Sequence, residues 1–166
     1  MNLEIKKFIR TAMLAALAMV LTMVPQIPTG TGGYVHFGDS VIYLAAMLLG
    51  PAGGAVVGAV GHSLADLLSG HAIFILPTFV IKGLMGFVIG KLIYPAENLN
   101  KRRFICAGLS ALVIVTLGYF VAEIPLYGVQ TAAVALVSSP VQWLMSVIAS
   151  AVLLPIAQKL RTKFGW

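Results

Sequence analysis

The sequence contains few charged residues and almost no cysteine. Only 10% of its 166 residues are Asp, Glu, Lys or Arg, whereas about 25% is typical of a soluble domain. This shortage excludes an ordinary water-soluble fold, because too little polar surface remains to cover a globule. The single cysteine, Cys106, excludes an intrachain disulfide and a cluster of thiolate metal ligands.

Motifs for nucleotide hydrolysis and for nucleophilic catalysis are also missing. The closest approach to the phosphate-binding pattern G-x-x-x-x-G-K-[ST] is Gly90-Lys91, but Leu92 follows it and Met85 stands in place of the first glycine. The patterns G-x-S-x-G and H-E-x-x-H do not occur. We therefore expect no ATPase and no other enzyme activity, and we expect no cofactor.

Apolar residues, in contrast, make up 60% of the chain. They form runs that fit a membrane crossing of about 20 residues per helix. We predict an all-α membrane protein with six transmembrane helices in a single domain, residues 1–166. The predicted spans are residues 8–24, 39–50, 52–69, 72–93, 104–124 and 139–160. The first run could also be a secretory signal peptide, but no small-residue cleavage pattern follows it.

The distribution of basic residues decides the predicted topology. Residues 39–68 could form one long span or two short spans separated at Gly50-Pro51. Two spans are favoured, because only then does the basic run 101–103 share the cytoplasmic side with Lys6. Both termini are then cytoplasmic, and ten of the eleven basic residues face inward, with Lys82 as the exception. These residues suit anionic lipid headgroups and lack the aromatic stripe expected for nucleic-acid binding.

Most acids and histidines map to outer loops or outer helix ends. Charges near a membrane are costly and usually face a bundle interior or a wet cavity. We therefore predict an outward-facing ligand cavity, capped by the first outer loop at residues 25–38. Aromatic rings in the same half could sandwich a flat heterocycle, although an interfacial aromatic belt predicts them too. The candidate ligand-binding residues are Gln26, Tyr34, His36, Asp39, Tyr43, His62, Asp66, Phe74, Lys82, Glu123, Gln142 and Trp143.

Lys82 needs a partner, because an unpaired ammonium in mid-span costs on the order of 3 kcal/mol. The candidates are Asp39, Asp66 and Glu123, and the pair is either structural or faces the ligand. His62, Asp66 and His71 could together hold a metal, but such spacing more often serves hydrogen bonding in a polar cavity. We predict no metal.

Small residues recur four apart in three of the spans. Gly54-x-x-x-Gly58 and Gly86-x-x-x-Gly90 predict close packing between helices within the bundle. Ala12-x-x-x-Ala16 lies near the cytoplasmic end of the first span, where another subunit could dock.

The sequence resembles the S components, the substrate-binding membrane subunits of energy-coupling factor (ECF) vitamin transporters, over nearly its whole length. Three stretches carry the resemblance: residues 35–51, which include Gly38-Asp39-Ser40; residues 61–70, which include Ala65-Asp66-Leu67-Leu68-Ser69-Gly70; and residues 81–86. Ala12 and Ala16 are similar to the family's alanine motif, which meets the transmembrane energising subunit.

The resemblance implies a multi-pass protein of a bacterial plasma membrane that captures a vitamin from outside. The partners it implies are an energising transmembrane subunit and two ATPase subunits, all on separate chains. The S component would topple within the bilayer to deliver its ligand, with residues 25–38 as a gate. A pyridoxine-like or hydroxymethylpyrimidine-like heterocycle suits the polar candidates best, and riboflavin is the alternative. A proton-coupled secondary carrier remains a second class, although it would be expected to show internal repeats. A membrane enzyme or metal-uptake protein built on His62, Asp66 and His71 is a third.

Overall fold

A computed structural model describes residues 2–28, 34–95 and 99–164 of the chain. In these ranges the chain folds into five α-helices. They are α1 (Leu3–Met23), α2 (Asp39–Leu68), α3 (Ile75–Ile93), α4 (Lys101–Ala132) and α5 (Ala135–Phe164). Two short antiparallel strands, β1 (Ile27–Pro28) and β2 (Tyr34–Val35), join α1 to α2. A 3-10 turn, Ala72–Phe74, precedes α3.

Helix α2 is broken at Gly50, whose φ of 77° and ψ of −167° are not helical. Glycine tolerates this positive φ, and Pro51 suits the first turn of the helix that follows. The two arms, residues 39–49 and 51–68, fold back on each other. A Cβ on Gly54 would lie 3.0 Å from Ala46 Cβ, and a Cβ on Gly58 would lie 3.2 Å from Ile42 Cδ1. The segment is therefore a helical hairpin and not one long span.

The first arm of α2 lies in the centre of the bundle. Residues 39–48 are all buried, and an arm of eleven residues is only about 16 Å long. It is thus shorter than the hydrocarbon core of about 30 Å. The sequence analysis placed Asp39 at an outer helix end, but the structure pairs it with Lys82, about 10 Å along α3 from its start. Val35, His36 and Gly38, directly before the arm, are already buried.

Close packing of α2 on α3 depends on glycines. A Cβ on Gly86 would lie only 2.1 Å from the backbone oxygen of Gly54, and one on Gly58 would lie 2.4 Å from the backbone oxygen of Lys82. The two backbones can touch only because these side chains are absent. The predicted internal role of the glycine pairs is in agreement with this geometry.

Two arginines stabilise helix ends on the side of the molecule where Gly50 lies. Arg103 donates to the carbonyl oxygens of Leu92 and Tyr94 at 2.7 and 3.0 Å, just at the end of α3. Arg161 approaches the carbonyl oxygen of Met47 at 3.4 Å, near the end of the first arm, and lies over the Tyr94 ring at 4.6 Å. Cationic groups at helix C-termini satisfy unpaired carbonyls and oppose the macrodipole.

The helices differ from the predicted spans mainly at their ends. Helix α1 begins at Leu3 and not at residue 8, and α4 continues to Ala132 past a second break at Gly128. Helix α5 begins at Ala135, so the predicted start at residue 139 is wrong, and Pro140 lies inside the helix. By length and composition alone, four segments could cross a membrane: Asp39–Leu68, Ala72–Ile93, Lys101–Ala132 and Ala135–Lys163. The first of them reaches this length only when both arms of its hairpin are counted together. The count of six crossings and the cytoplasmic termini stay predictions.

Candidate functional site

A cavity of about 60 Å³ lies at the end of the bundle opposite Arg103 and Arg161. Its walls come from the end of α1, the loop strand β2, the second arm of α2, and helices α3, α4 and α5. The space is smaller than the cavity of about 150 Å³ that accommodates benzene in a well-studied protein, so a ring-sized ligand requires the walls to move. The lining residues are Thr22, Tyr34, Val35, His36, His62, Asp66, Phe74, Thr78, Val115, Tyr119, Glu123, Ala135, Ser138, Ser139 and Gln142.

The loop between α1 and α2 forms one wall and is attached to the second arm of α2. Gln26 Nε2 donates to Ser69 Oγ at 2.9 Å, and Tyr34 Oη donates to Asp66 Oδ1 at 2.7 Å. The rings of His36 and His62 lie 5.3 Å apart. His62 and Asp66 share one face of α2, and Ser69 directly follows the end of this helix. This end of α2 thus holds the loop through two hydrogen bonds and one ring contact.

A buried network around Asp39 lies directly beneath the cavity. Lys82 Nζ lies 2.8 Å from each carboxylate oxygen of Asp39. Gln142 Nε2 also donates to this carboxylate at 2.8 Å, and His62 Nε2 lies 3.1 Å from its other oxygen. Of the three acids considered as partners of Lys82, the structure selects Asp39. The ammonium and carboxylate compensate each other, and the network fixes the orientation of the lining side chain Gln142. The His62 ring is held through its Nδ1, which lies 3.1 Å from the carbonyl oxygen of Gly58.

The twelve predicted ligand-binding residues line the cavity, lie beneath it, or lie outside its lining. Seven of the twelve line the cavity: Tyr34, His36, His62, Asp66, Phe74, Glu123 and Gln142. Asp39 and Lys82 lie beneath it, and Gln26 anchors the loop. Tyr43 is fully buried in the first arm, with its ring 6.1 Å from that of Phe104. Trp143 donates to the carbonyl oxygen of Gly108 at 2.6 Å and is not part of the lining. A role for each of these residues in ligand binding stays a prediction.

Several lining residues were not among the predicted ones. The Thr78 and Tyr119 hydroxyls lie 3.0 Å apart, and Ser138 and Ser139 reach the cavity because α5 begins earlier than predicted. Thr78 lies one helical turn before Lys82, a spacing that puts the two on the same face of α3. That spacing was the available signal for Thr78. Ser138 and Ser139 were interpreted only as a helix start.

His36 is neutral in this arrangement. Its Nδ1 accepts a hydrogen bond from the backbone N–H of Gly38 at 3.0 Å, which leaves the ring proton on Nε2. Burial lowers the pKa of His36 well below its ordinary value, and the nearby Asp39 carboxylate opposes that shift. Burial also raises the pKa of the Tyr34 hydroxyl, helped by Asp66, so Tyr34 remains a hydrogen-bond donor at neutral pH.

His36, Asp39 and His62 each have one potential metal-ligating atom within 4.8 Å of the others. This group differs from the trio His62, Asp66 and His71 that the sequence suggested. Both oxygens of Asp39 already face the Lys82 ammonium, and a cation bound there would be repelled. The chemistry of these donors fits a hydrogen-bonded network better than a metal centre.

The alanines predicted to dock a partner lie on the outer face of α1. Ala12 and Ala16 are exposed, whereas Ala15 and Ala18 are buried. The buried pair meets α2, because a Cβ on Gly61 would lie 2.7 Å from the backbone oxygen of Ala15 and 2.9 Å from Ala18 Cβ. Helix α1 therefore has two faces of small residues, and one of them is free of contacts with the described part of the chain.

Comparison with known proteins gives a consistent result. The family model described as "ECF-type riboflavin transporter, S component" matches residues 2–162. The thiamine precursor transporter HmpT of Lactococcus lactis is 29% identical over 160 residues, which cover 95% of this chain and 91% of HmpT. An uncharacterized protein of Pyrococcus woesei is 36% identical over 110 residues, covering 66% of this chain and 72% of that protein.

The fold is also similar to a solved structure. The crystal structure of the biotin S component of an ECF-type ABC transporter matches with a TM-score of 0.72 and 20% identity, covering 98% of this chain and 95% of that one. At that identity the likeness concerns the fold alone. The resemblance drawn from the residues is confirmed, and the chain belongs to the family of S components of ECF-type transporters.

Proposed function

We propose that this protein captures a small nitrogen heterocycle related to hydroxymethylpyrimidine, with a pyridoxine-like ring as second choice. It delivers this ligand to a separate ATP-driven module made of an energising transmembrane subunit and two ATPase subunits. S components of this family bind a vitamin and work with such a module, so the proposal concerns the identity of the ligand. The protein acts in the cell membrane of a bacterium, with the cavity facing outward.

The observation that carries the proposal is the convergence of polar side chains on one small cavity. Seven residues chosen for their chemistry line it, and the rings of Tyr34, Phe74 and Tyr119 stand among them. Ring faces stack on flat ligands, while hydroxyl, amide and carboxylate groups recognise ring nitrogens and hydroxymethyl groups. A single ring needs less movement of the walls around the present volume of about 60 Å³ than the three fused rings of riboflavin would. Similarity to a thiamine precursor transporter points in the same direction.

The first experiment identifies the ligand directly. The protein is purified from cells without added ligand, and any retained small molecule is identified by mass spectrometry. Binding of 4-amino-5-hydroxymethyl-2-methylpyrimidine, pyridoxine and riboflavin is then measured by isothermal titration. We expect the pyrimidine to bind most tightly. Tighter binding of riboflavin would overturn the proposed ligand and leave the family assignment intact.

A second experiment separates a capturing subunit from a self-sufficient carrier. Vesicles that contain this chain alone, with and without a proton gradient, are supplied with the labelled pyrimidine. We expect saturable binding without accumulation, and accumulation only when the complete energising module is present. Gradient-driven accumulation by the isolated chain would instead support a secondary carrier in which Lys82, Asp66 or Glu123 relays protons.

A further inference from the structure

One carboxylate oxygen of Asp66 accepts a hydrogen bond, and the other has no donor among the described residues. Its Oδ1 accepts the hydrogen bond of Tyr34 Oη at 2.7 Å. Its Oδ2 is buried and has no hydrogen-bond partner among the residues that the structure describes. The residue is only 5% exposed and lines the cavity. A buried carboxylate oxygen without a hydrogen-bond donor is costly, so this oxygen is suited to a donor that arrives with the ligand.

The other polar groups of the cavity lining further limit which ligands can bind. Because a carboxylate only accepts hydrogen bonds, the Gln142 amide must direct its nitrogen to Asp39, and its oxygen points elsewhere. Thr78 and Tyr119 already bond to each other. Among the described lining residues there are two carboxylates, Asp66 and Glu123, and no lysine or arginine. The described lining therefore offers hydrogen-bond acceptors and suits a ligand that brings N–H donors.

We infer that Asp66 is the specificity-determining residue of this site and that it couples the ligand to the loop; the inference rests on the proposed function. Oδ2 accepts a hydrogen bond from an exocyclic amino group of the heterocycle. Oδ1 meanwhile holds Tyr34, which belongs to the loop wall. A charge-assisted bond of this kind is about twice as strong as a neutral one. A ligand that fixes the carboxylate therefore also stabilises the loop in its closed position.

The same inference predicts which heterocycles are rejected. A ligand that brings a carboxylate or a phosphate would place further acceptor oxygens against Asp66 Oδ2, which has no donor among the described residues. Phosphorylated or carboxylated forms of an accepted heterocycle should therefore bind far more weakly than the parent compound.

The test is a thermodynamic cycle in which one change is made in the protein and the other in the ligand. Isothermal titration in detergent compares wild type and Asp66→Asn, each with 4-amino-5-hydroxymethyl-2-methylpyrimidine and with its analogue lacking the amino group. We expect Asp66→Asn to weaken binding of the amino compound by about tenfold or more, and loss of the amino group to weaken binding to wild type similarly. The two changes should not add. Additive effects would overturn the assignment. Glu4→Gln removes an exposed acid at the start of α1 and is the matched control.

The loop coupling has its own readout. Tyr34→Phe keeps the ring and removes only the hydroxyl, so it should speed dissociation of the amino compound and leave dissociation of the analogue unchanged. Equal dissociation rates for wild type and Tyr34→Phe would overturn the coupling.

Failure of this inference is distinguishable from failure of the proposed function. If wild type binds both pyrimidines with equal affinity, the function stands and the role of Asp66 is refuted, without reliance on any variant that folds poorly. If wild type binds neither pyrimidine, the proposed ligand class is wrong and the assignment of Asp66 fails with it.

Discussion

At the scale of single residues, Lys82 illustrates how a charge is accommodated in an apolar bundle. It is 0% exposed, and both oxygens of Asp39 lie within 2.8 Å of its ammonium. The Tyr119 ring lies 5.5 Å away, at a distance where a cation–π interaction contributes further. The sequence predicted that Lys82 has an acidic partner. It could not select Asp39, because that choice depends on the depth at which the first arm of α2 begins.

Removing one member of this pair should destabilise the protein strongly. We expect Lys82→Met to lower the free energy of unfolding by about 3–5 kcal/mol, because an uncompensated carboxylate remains buried. Unfolding is measured in detergent by heat or denaturant. The double variant Lys82→Met with Asp39→Asn should recover part of the loss. Lys91→Met, on the exposed face of the same helix, is the matched control, and an equal loss there would contradict a specific role for the pair.

His36 should make stability depend on pH. Burial lowers its pKa in the folded protein well below the ordinary value of 6.5. The unfolded chain therefore binds more protons than the folded one as the pH falls through about 6.5, and stability falls with it. We expect the melting temperature to decrease between pH 7 and pH 5. The neighbouring groups Asp39, Lys82 and His62 also change this titration, so the informative quantity is the difference between variants.

The comparison uses His36→Gln and His71→Gln. His36→Gln should make the decrease in melting temperature between pH 7 and pH 5 smaller. His71→Gln replaces a less buried ring and should leave that decrease unchanged. An identical pH dependence in wild type and His36→Gln would show that the imidazole of His36 does not cause it.

At the scale of secondary-structure elements, the packing of α2 against α3 depends on missing side chains. The glycine spacings in the sequence predicted this contact, and the apolar runs separated by polar segments predicted most of the helices. Helix ends were less predictable. Pro140 following two serines indicated a helix start, but α5 begins at Ala135, and the Ser138 N–H already donates to the carbonyl oxygen of Val134 at 2.9 Å.

Adding one methyl group between these helices should be disruptive. A Cβ on Gly86 would lie 2.1 Å from the backbone oxygen of Gly54, and a backbone atom cannot move away without shifting the helix. We expect Gly86→Ala to cost about 1–3 kcal/mol of unfolding free energy. A Cβ on Gly108 would be no closer than 3.7 Å to its neighbours, so Gly108→Ala should be neutral or stabilising. Equal effects of the two substitutions would argue against close helix contact.

At the scale of the whole molecule, the two ends differ in chemistry. Arginines that stabilise helix ends gather near Gly50, and the polar cavity opens at the opposite end. Charge distribution along the sequence predicted this polarity and seven of the lining residues. It could not predict that Val35, His36 and Gly38 are buried, because residues 25–38 show no helical pattern. The contacts of Gln26, Tyr34 and His36 with Ser69, Asp66 and His62 depend on the tertiary fold.

The outer face of α1 offers a test of assembly. Ala16→Leu enlarges an exposed residue, so we expect unchanged ligand affinity and melting temperature but loss of complex formation with the energising module. Ala15→Leu enlarges a buried neighbour and should instead destabilise the isolated protein. The measurements are co-purification of the module, isothermal titration and thermal unfolding. Normal assembly of Ala16→Leu would show that the partner docks on another surface.

The hydrogen bonds that hold the loop have a kinetic consequence. Gln26 and Tyr34 bond to Ser69 and Asp66, at the end of the second arm of α2, and β2 also contacts α5. Separation of that arm from α5 would carry the bonded loop residues along with the arm, break the contacts of β2 with α5, and uncover the cavity in one step. Ligand exchange would then proceed at the frequency of a helix displacement, and residence times would lengthen with every bond that resists it.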